Sequence, residues 1–156
     1  MIRIMEDGDL TSVIQIWLDA NIRAHSFVPE EYWTGNYEMV KEALGKAELY
    51  VYEENDTNEI NGFIGLTGNY IAGIFVKEDV RSKGIGKRLL DYVKAFKPDL
   101  NLSVYQKNIR AVSFYQREQF VIQSEKLDEC TNEKEFFMVW QKQRVEESGQ
   151  TCGGDR

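Results

Sequence analysis

The spacing of apolar positions changes repeatedly along this chain, and each change marks an element. Ile2 and Ile4 alternate with polar neighbours, which predicts a short strand over 2–6. Leu10, Val13, Ile14, Trp17, Leu18 and Ile22 then fall on one helical face, with Asp7 or Asp9 as the cap. Pro29 suits the first turn of a second helix, in which Tyr32, Trp33, Met39, Val40, Ala43 and Leu44 run irregularly to about Gly45. Residues 48–53 are aromatic and β-branched and read as a strand, followed by a polar turn over 54–61. Strands over 62–67 and 70–76 flank Gly68-Asn69 and predict a hairpin. A helix starts near Gly84, carries Ile85, Leu89, Val93 and Phe96 on one face and ends before Pro98. A strand over 100–105, a helix over 108–118 with Ala111, Phe114 and Tyr115 inward, and strands over 120–127 and 135–141 complete the pattern.

The resulting order, β-α-α-β-β-β-α-β-α-β-β, predicts an α/β domain with one mixed sheet and helices on both faces. Strand 70–76, its crossover helix and strand 100–105 form a βαβ unit, so these two strands should be parallel. Ligands bind at the carboxyl ends of such strands. Residues 143–156 hold almost nothing apolar and read as a disordered tail, leaving residues 1–142 as the single domain.

Composition narrows the function. A net charge of −7 argues against a nucleic-acid binder driven by phosphate neutralisation. No apolar run approaches the length of a membrane span and no signal-peptide pattern opens the chain, so the expectation is no membrane and a cytoplasmic location. Two cysteines, Cys130 and Cys152, and one histidine, His25, supply neither a disulfide framework nor a metal cluster, so no metal is expected. Residues 1–60 hold 13 acids against 4 bases, whereas residues 80–88 hold four bases and no acid. A short basic island in an acidic chain suits a small polyanion.

That island is the loop Arg81-Ser-Lys-Gly84-Ile-Gly86-Lys87-Arg88, between a strand and a helix. Glycines let the backbone approach a ligand closely, and the first N–H groups of a helix lack internal partners and can donate to phosphate oxygens. Arg81, Lys83, Lys87 and Arg88 add charge. A nucleoside-triphosphate loop would need Ser or Thr after Lys87, where Arg88 stands. A dinucleotide fingerprint would need a third glycine, where Leu89 stands.

Arg81-Ser-Lys-Gly84-Ile-Gly86 resembles the motif Arg/Gln-x-x-Gly-x-Gly/Ala of the GNAT superfamily of N-acetyltransferases, and Asn108-Ile-Arg-Ala111-Val-Ser-Phe114-Tyr115 resembles its second cofactor motif. The resemblance spans roughly residues 62–127 and implies the family's fold, a single mixed and mostly antiparallel sheet with helices on both faces. It also implies acetyl-CoA as acetyl donor to a primary amine. Ile74, Phe75 and Val76 would meet the pantetheine arm, Ser82, Lys83, Gly84, Ile85, Gly86 and Lys87 with Arg81 the pyrophosphate, and Asn108 the pantetheine. Tyr115 would be the general acid near the sulfur. One departure stands out: Gln119 occupies the place of a glycine that ends the helix.

Ala24-His25-Ser-Phe27 followed by Tyr32-Trp33 is similar to a subgroup of small bacterial members, in which this region lines the acceptor site. Many members place a glutamate on the central strand or on the strand before the second motif, and neither strand has one here. Glu30, Glu31 or His25 acting through water are the alternatives for taking the amine's proton. Lysine side chains, peptide amino termini and polyamines all fit as acceptors, with a monomer or homodimer as the working unit. Two other readings are a non-catalytic acetyl-CoA sensor and a nucleotide-binding module.

Overall fold

A computed structural model describes residues 1–80 and 83–142; Arg81, Ser82 and the expected tail at 143–156 lie outside the described residues. Seven strands among the described residues form one sheet in the order β1-β2-β3-β4-β5-β7-β6. They are β1 (Ile2–Ile4), β2 (Glu48–Glu53), β3 (Ile60–Thr67), β4 (Tyr70–Val76), β5 (Asp99–Tyr105), β6 (Val121–Asp128) and β7 (Glu133–Gln141). Five α-helices among the described residues accompany them: α1 (Leu10–Ala24), α2 (Glu30–Gly35), α3 (Tyr37–Lys46), α4 (Ile85–Lys94) and α5 (Ile109–Arg117). Every strand pair is antiparallel except β4 with β5.

Strand alternation divides the core in two. Leu49, Val51 and Phe63 point to one face, where Val13, Ile14 and Trp17 of α1 and Trp33 of α2 cover them. Tyr50, Ile64, Leu66, Leu100 and Leu102 point to the other, against Leu89, Leu90 and Val93 of α4 and Tyr115 of α5. Some expected core positions lie outside it. Ile4, Met39 and Phe96 are exposed, and Phe96 falls past the end of α4, packing its ring on Tyr50 and Tyr92. The expected long second helix is two helices that break at Asn36, with Pro29 as N-cap of the first. Asp9 sits at the N-cap of α1, but its carboxylate takes hydrogen bonds from Arg3 at 2.8 Å and from the Glu6 N–H at 2.8 Å.

The turn after α5 carries the departure from the family pattern. Gln119 has φ of +76°, so a residue with a Cβ holds the left-handed conformation that glycine favours. That conformation costs a non-glycine residue about 1–2 kcal/mol, partly offset by the lower entropy of its unfolded state. Gln119→Gly is therefore expected to raise stability by roughly 0.5–1 kcal/mol, seen as a melting temperature about 2 °C higher. A lower melting temperature would show that the glutamine side chain contributes more than the strain removes.

Candidate active site

The site begins as a fault in the sheet. β3 pairs Gly65 with Gly73 and Leu66 with Ile71, so Ala72 is an extra residue that bulges β4. The parallel pairing of β4 with β5 covers only Tyr70 with Asn101 and Ile71 with Leu102. Beyond Ile71 the two strands part, and the edge of β4 over residues 74–76 faces a cleft instead of β5. The cleft has a volume of about 680 Å³ and is lined by Ile74, Phe75 and Val76 on one side and by α5 on the other.

The amino terminus of α4 closes one end of the cleft. Gly84 stands just before it with φ of +81°, a conformation a glycine adopts without steric penalty. The first intrahelical bond runs from the Arg88 N–H to the Gly84 carbonyl at 3.0 Å, so the N–H groups of Ile85, Gly86 and Lys87 have no partner in the helix. Gly84, Ile85, Gly86 and Lys87 all line the cleft. A Cβ added at Gly86 would meet Ile74 Cγ2 and Phe114 Cζ at 3.8 Å and Val76 Cγ2 at 3.9 Å, ordinary contact distances. Packing therefore does not require a glycine at 86, and a small residue there keeps the approach from the cleft open.

The basic groups are arranged differently from expectation. Arg88 turns away from the cleft and donates to the Tyr52 hydroxyl at 2.9 Å. Lys83 is exposed and does not line the cleft. Lys87 lines it but holds Glu118 at 3.1 Å and Asp91 at 3.3 Å, and these bonds raise the ammonium's pKa so that it stays charged. Arg81 and Ser82 lie outside the described residues. Arg23 of α1 and Arg110 and Arg117 of α5 line the cleft as well. Sequence reasoning missed Arg110 and Arg117, although their spacing of seven puts them on one helical face. Arg23 ties α1 to the end of β4, donating to the Val76 carbonyl at 3.1 Å and facing Glu78 at 3.6 Å.

Tyr115 is buried between Phe114 and Phe120 and borders the cleft, and burial raises its pKa above the usual phenol value. Asn108 caps α5, its Oδ1 accepting the Ala111 N–H at 3.2 Å. Its Nδ2 lies 3.1 Å from His25 Nε2. His25 is buried, and desolvation lowers its pKa to about 4, so it is neutral near pH 7. Its ring packs against Phe27, Trp33 and Tyr105 on the α1 face of the sheet, with Tyr32 edge-on to Trp33. The structure thus gathers His25, Phe27, Tyr32 and Trp33 into one aromatic nest, of which His25 alone reaches the cleft lining.

Glu30 and Glu31 are exposed on α2 and are not brought to the cleft. The nest has acidic groups of its own that the sequence pattern did not mark. Tyr105 donates to Asp128 Oδ2 at 2.8 Å, and Glu135 sits opposite Tyr105 on β7. Burial first, and Asp128 second, raise the pKa of Glu135, whose nearest cation among the described residues is Lys126 at 3.9 Å. No group of three or more His, Cys, Asp or Glu side chains among the described residues is arranged to hold a metal, and no helix there is long and apolar enough to cross a membrane.

Residues 45–122 match a family model described as an acetyltransferase (GNAT) domain. The chain is 33% identical over 142 residues to the peptidyl-lysine N-acetyltransferase YiaC of Escherichia coli K12, covering 90% of this chain and 96% of that one. It is 33% identical over 117 residues to the peptidyl-lysine N-acetyltransferase YjaB of Salmonella typhimurium LT2, covering 75% and 79%. Among solved structures, apo YjaB from Escherichia coli is similar with a TM-score of 0.79 at 26% identity, over 89% of this chain and 95% of that one.

Proposed function

Since the chain belongs to the GNAT family and is an acetyl-CoA-dependent N-acetyltransferase, we propose that its acceptor is the side-chain amine of lysine in a protein or peptide and that the reaction runs in the cytoplasm. The two 33%-identical relatives, both peptidyl-lysine enzymes, carry the acceptor half of this reading. The carboxylates of Asp128 and Glu135 beside the aromatic nest suit an acceptor that arrives as a cation.

The residues present fit the donor. The N–H groups at the start of α4, which have no partner within the helix, with Arg110, Arg117 and Lys87 would hold the pyrophosphate, and the open edge of β4 over residues 74–76 would hold the pantetheine arm. When bound, acetyl-CoA supplies an activated acetyl group with a good thiolate leaving group. Holding amine and thioester together in one cleft provides much of the acceleration. A backbone N–H on β4 would stabilise charge as it builds on the carbonyl oxygen. Tyr115 would give a hydrogen bond, and then its proton, to the departing sulfur, and the proton lost by the amine nitrogen as the amide forms would restore the phenol through water. The parting of β4 from β5 is the observation that carries this reading, because a continuous sheet would leave no room between the two motifs.

The test is release of coenzyme A thiol, with mass spectrometry of the product, using lysine peptides blocked at the amino terminus, free amino-terminal peptides and polyamines. Transfer to the blocked lysine peptides is expected to be fastest. Transfer confined to amino termini or polyamines would overturn the acceptor assignment while leaving the family's reaction in place.

A further inference from the structure

His25 caps the end of α1 and Asn108 the start of α5, and the two, 83 positions apart in sequence, meet at the open end of the sheet. The hydrogen bonds there fix the state of both side chains. The Ala111 N–H can only donate, so the Asn108 atom facing it at 3.2 Å is the amide oxygen. The amide nitrogen therefore faces His25 and donates, and Nε2 at 3.1 Å must accept with its lone pair. A neutral imidazole with a free lone pair on Nε2 carries its hydrogen on Nδ1. Either the opposite tautomer or a charged ring would set N–H against N–H. The burial that lowers the ring's pKa to about 4 agrees with a neutral side chain.

Packing holds the ring in that orientation. Ring centroids of Tyr105, Trp33 and Phe27 lie 5.0, 5.4 and 5.6 Å from it. His25 is only 8% exposed, and its Nδ1 has no hydrogen-bond partner among the described residues. Leaving a buried donor unpaired is unfavourable, so the bond made on the other side of the ring is retained against a local penalty. Asn108 has two Nδ2 hydrogens; one goes to His25, and the amide plane is then set from both ends. Both residues line the cleft.

We propose that His25 is a positioning residue: its Nε2 lone pair fixes the Asn108 amide so that the second Nδ2 hydrogen is offered to the pantetheine arm of acetyl-CoA. The inference rests on the reading that this cleft binds the cofactor. It gives the lone histidine a role as hydrogen-bond acceptor in place of proton acceptor. It also links the acceptor-side helix to the cofactor motif through a single bond.

His25 is the chain's one histidine, so nitrogen-15 spectra of the full protein at neutral pH report its tautomer without assignment. The Nδ1–H form is expected, and an Nε2–H form or a charged ring would overturn the proposal without any variant having to fold. Calorimetric titration with coenzyme A supplies the functional arm. His25→Ala is expected to weaken binding about five- to tenfold and raise KM for acetyl-CoA in step, with kcat within about twofold. His25→Gln, whose Oε1 can accept from Asn108, should recover most of that affinity. Equal losses in the two variants, or no loss in His25→Ala, would reduce the residue to a packing role. Failure of the unaltered protein to bind coenzyme A would instead remove the reading on which the proposal stands.

Discussion

Tyr115→Phe is expected to lower kcat about 100-fold, within the range removed with a general acid or base, while KM for acetyl-CoA stays within about twofold. The substitution deletes one hydroxyl from a ring whose other contacts, with Phe114, Phe120 and the α4 side of the core, phenylalanine keeps. Equal falls in kcat and kcat/KM would mark an interaction made mainly in the transition state. Burial shapes what the hydroxyl does. A reference phenol near pKa ~10 is already a weaker acid than a thiol near ~8.5, and desolvation raises Tyr115 further. Tyr115 thus remains protonated across the working range and acts first as a donor to developing negative charge. The alkaline limb of the pH–rate profile should then not report its ionisation below about pH 10. Steady-state kinetics with a lysine peptide decide the matter: turnover within threefold of the unaltered enzyme would exclude the hydroxyl from the reaction.

The features read correctly from the sequence are those governed by local rules. The aromatic and β-branched run over 48–53 and the hairpin at Gly68-Asn69 place β2, β3 and β4 within two residues of their observed limits. The start of α4 at the two glycines and the start of α5 at Asn108 are placed correctly because helix ends are marked by local devices. Gln119 shows the same logic in reverse, since a departure from the glycine pattern correctly flagged a left-handed residue. What stayed hidden depends on contacts between distant segments. The direction of Arg88 is decided by Tyr52, 36 residues away, and the bond from Asn108 to His25 spans 83 residues. The acidic side of the nest is set by register, because Glu135 faces Tyr105 only once β5 and β7 have paired. Charge along the chain points to residues 81–88, whereas the arginines that line the cleft among the described residues, Arg23, Arg110 and Arg117, come from α1 and α5.

Gly86 offers the second large effect, and it separates binding from folding. The protein leaves ordinary contact distance around a Cβ at this position, with the nearest atoms at 3.8 Å and 3.9 Å. Valine has a helix propensity a few tenths of a kcal/mol better than glycine, which offsets part of any crowding of its methyl groups against Ile74, Val76 and Phe114, so the melting temperature of Gly86→Val without ligand should stay within about 2 °C of the parent. The cleft side is where the added atoms act. Two methyl groups between the N–H groups of α4 and the pyrophosphate would impose an overpacking penalty of about 1–3 kcal/mol, a loss of roughly 5- to 150-fold in coenzyme A affinity. Alanine, which the family pattern allows here, adds only the Cβ and should bind within about threefold of the unaltered protein. The graded series distinguishes steric exclusion at the loop from general damage, because damage would lower the melting temperature in parallel with affinity. Calorimetric titration beside thermal melts gives both quantities. A valine variant that binds coenzyme A as tightly as the parent would place the pyrophosphate away from the start of α4, and the role assigned to that helix end would fail.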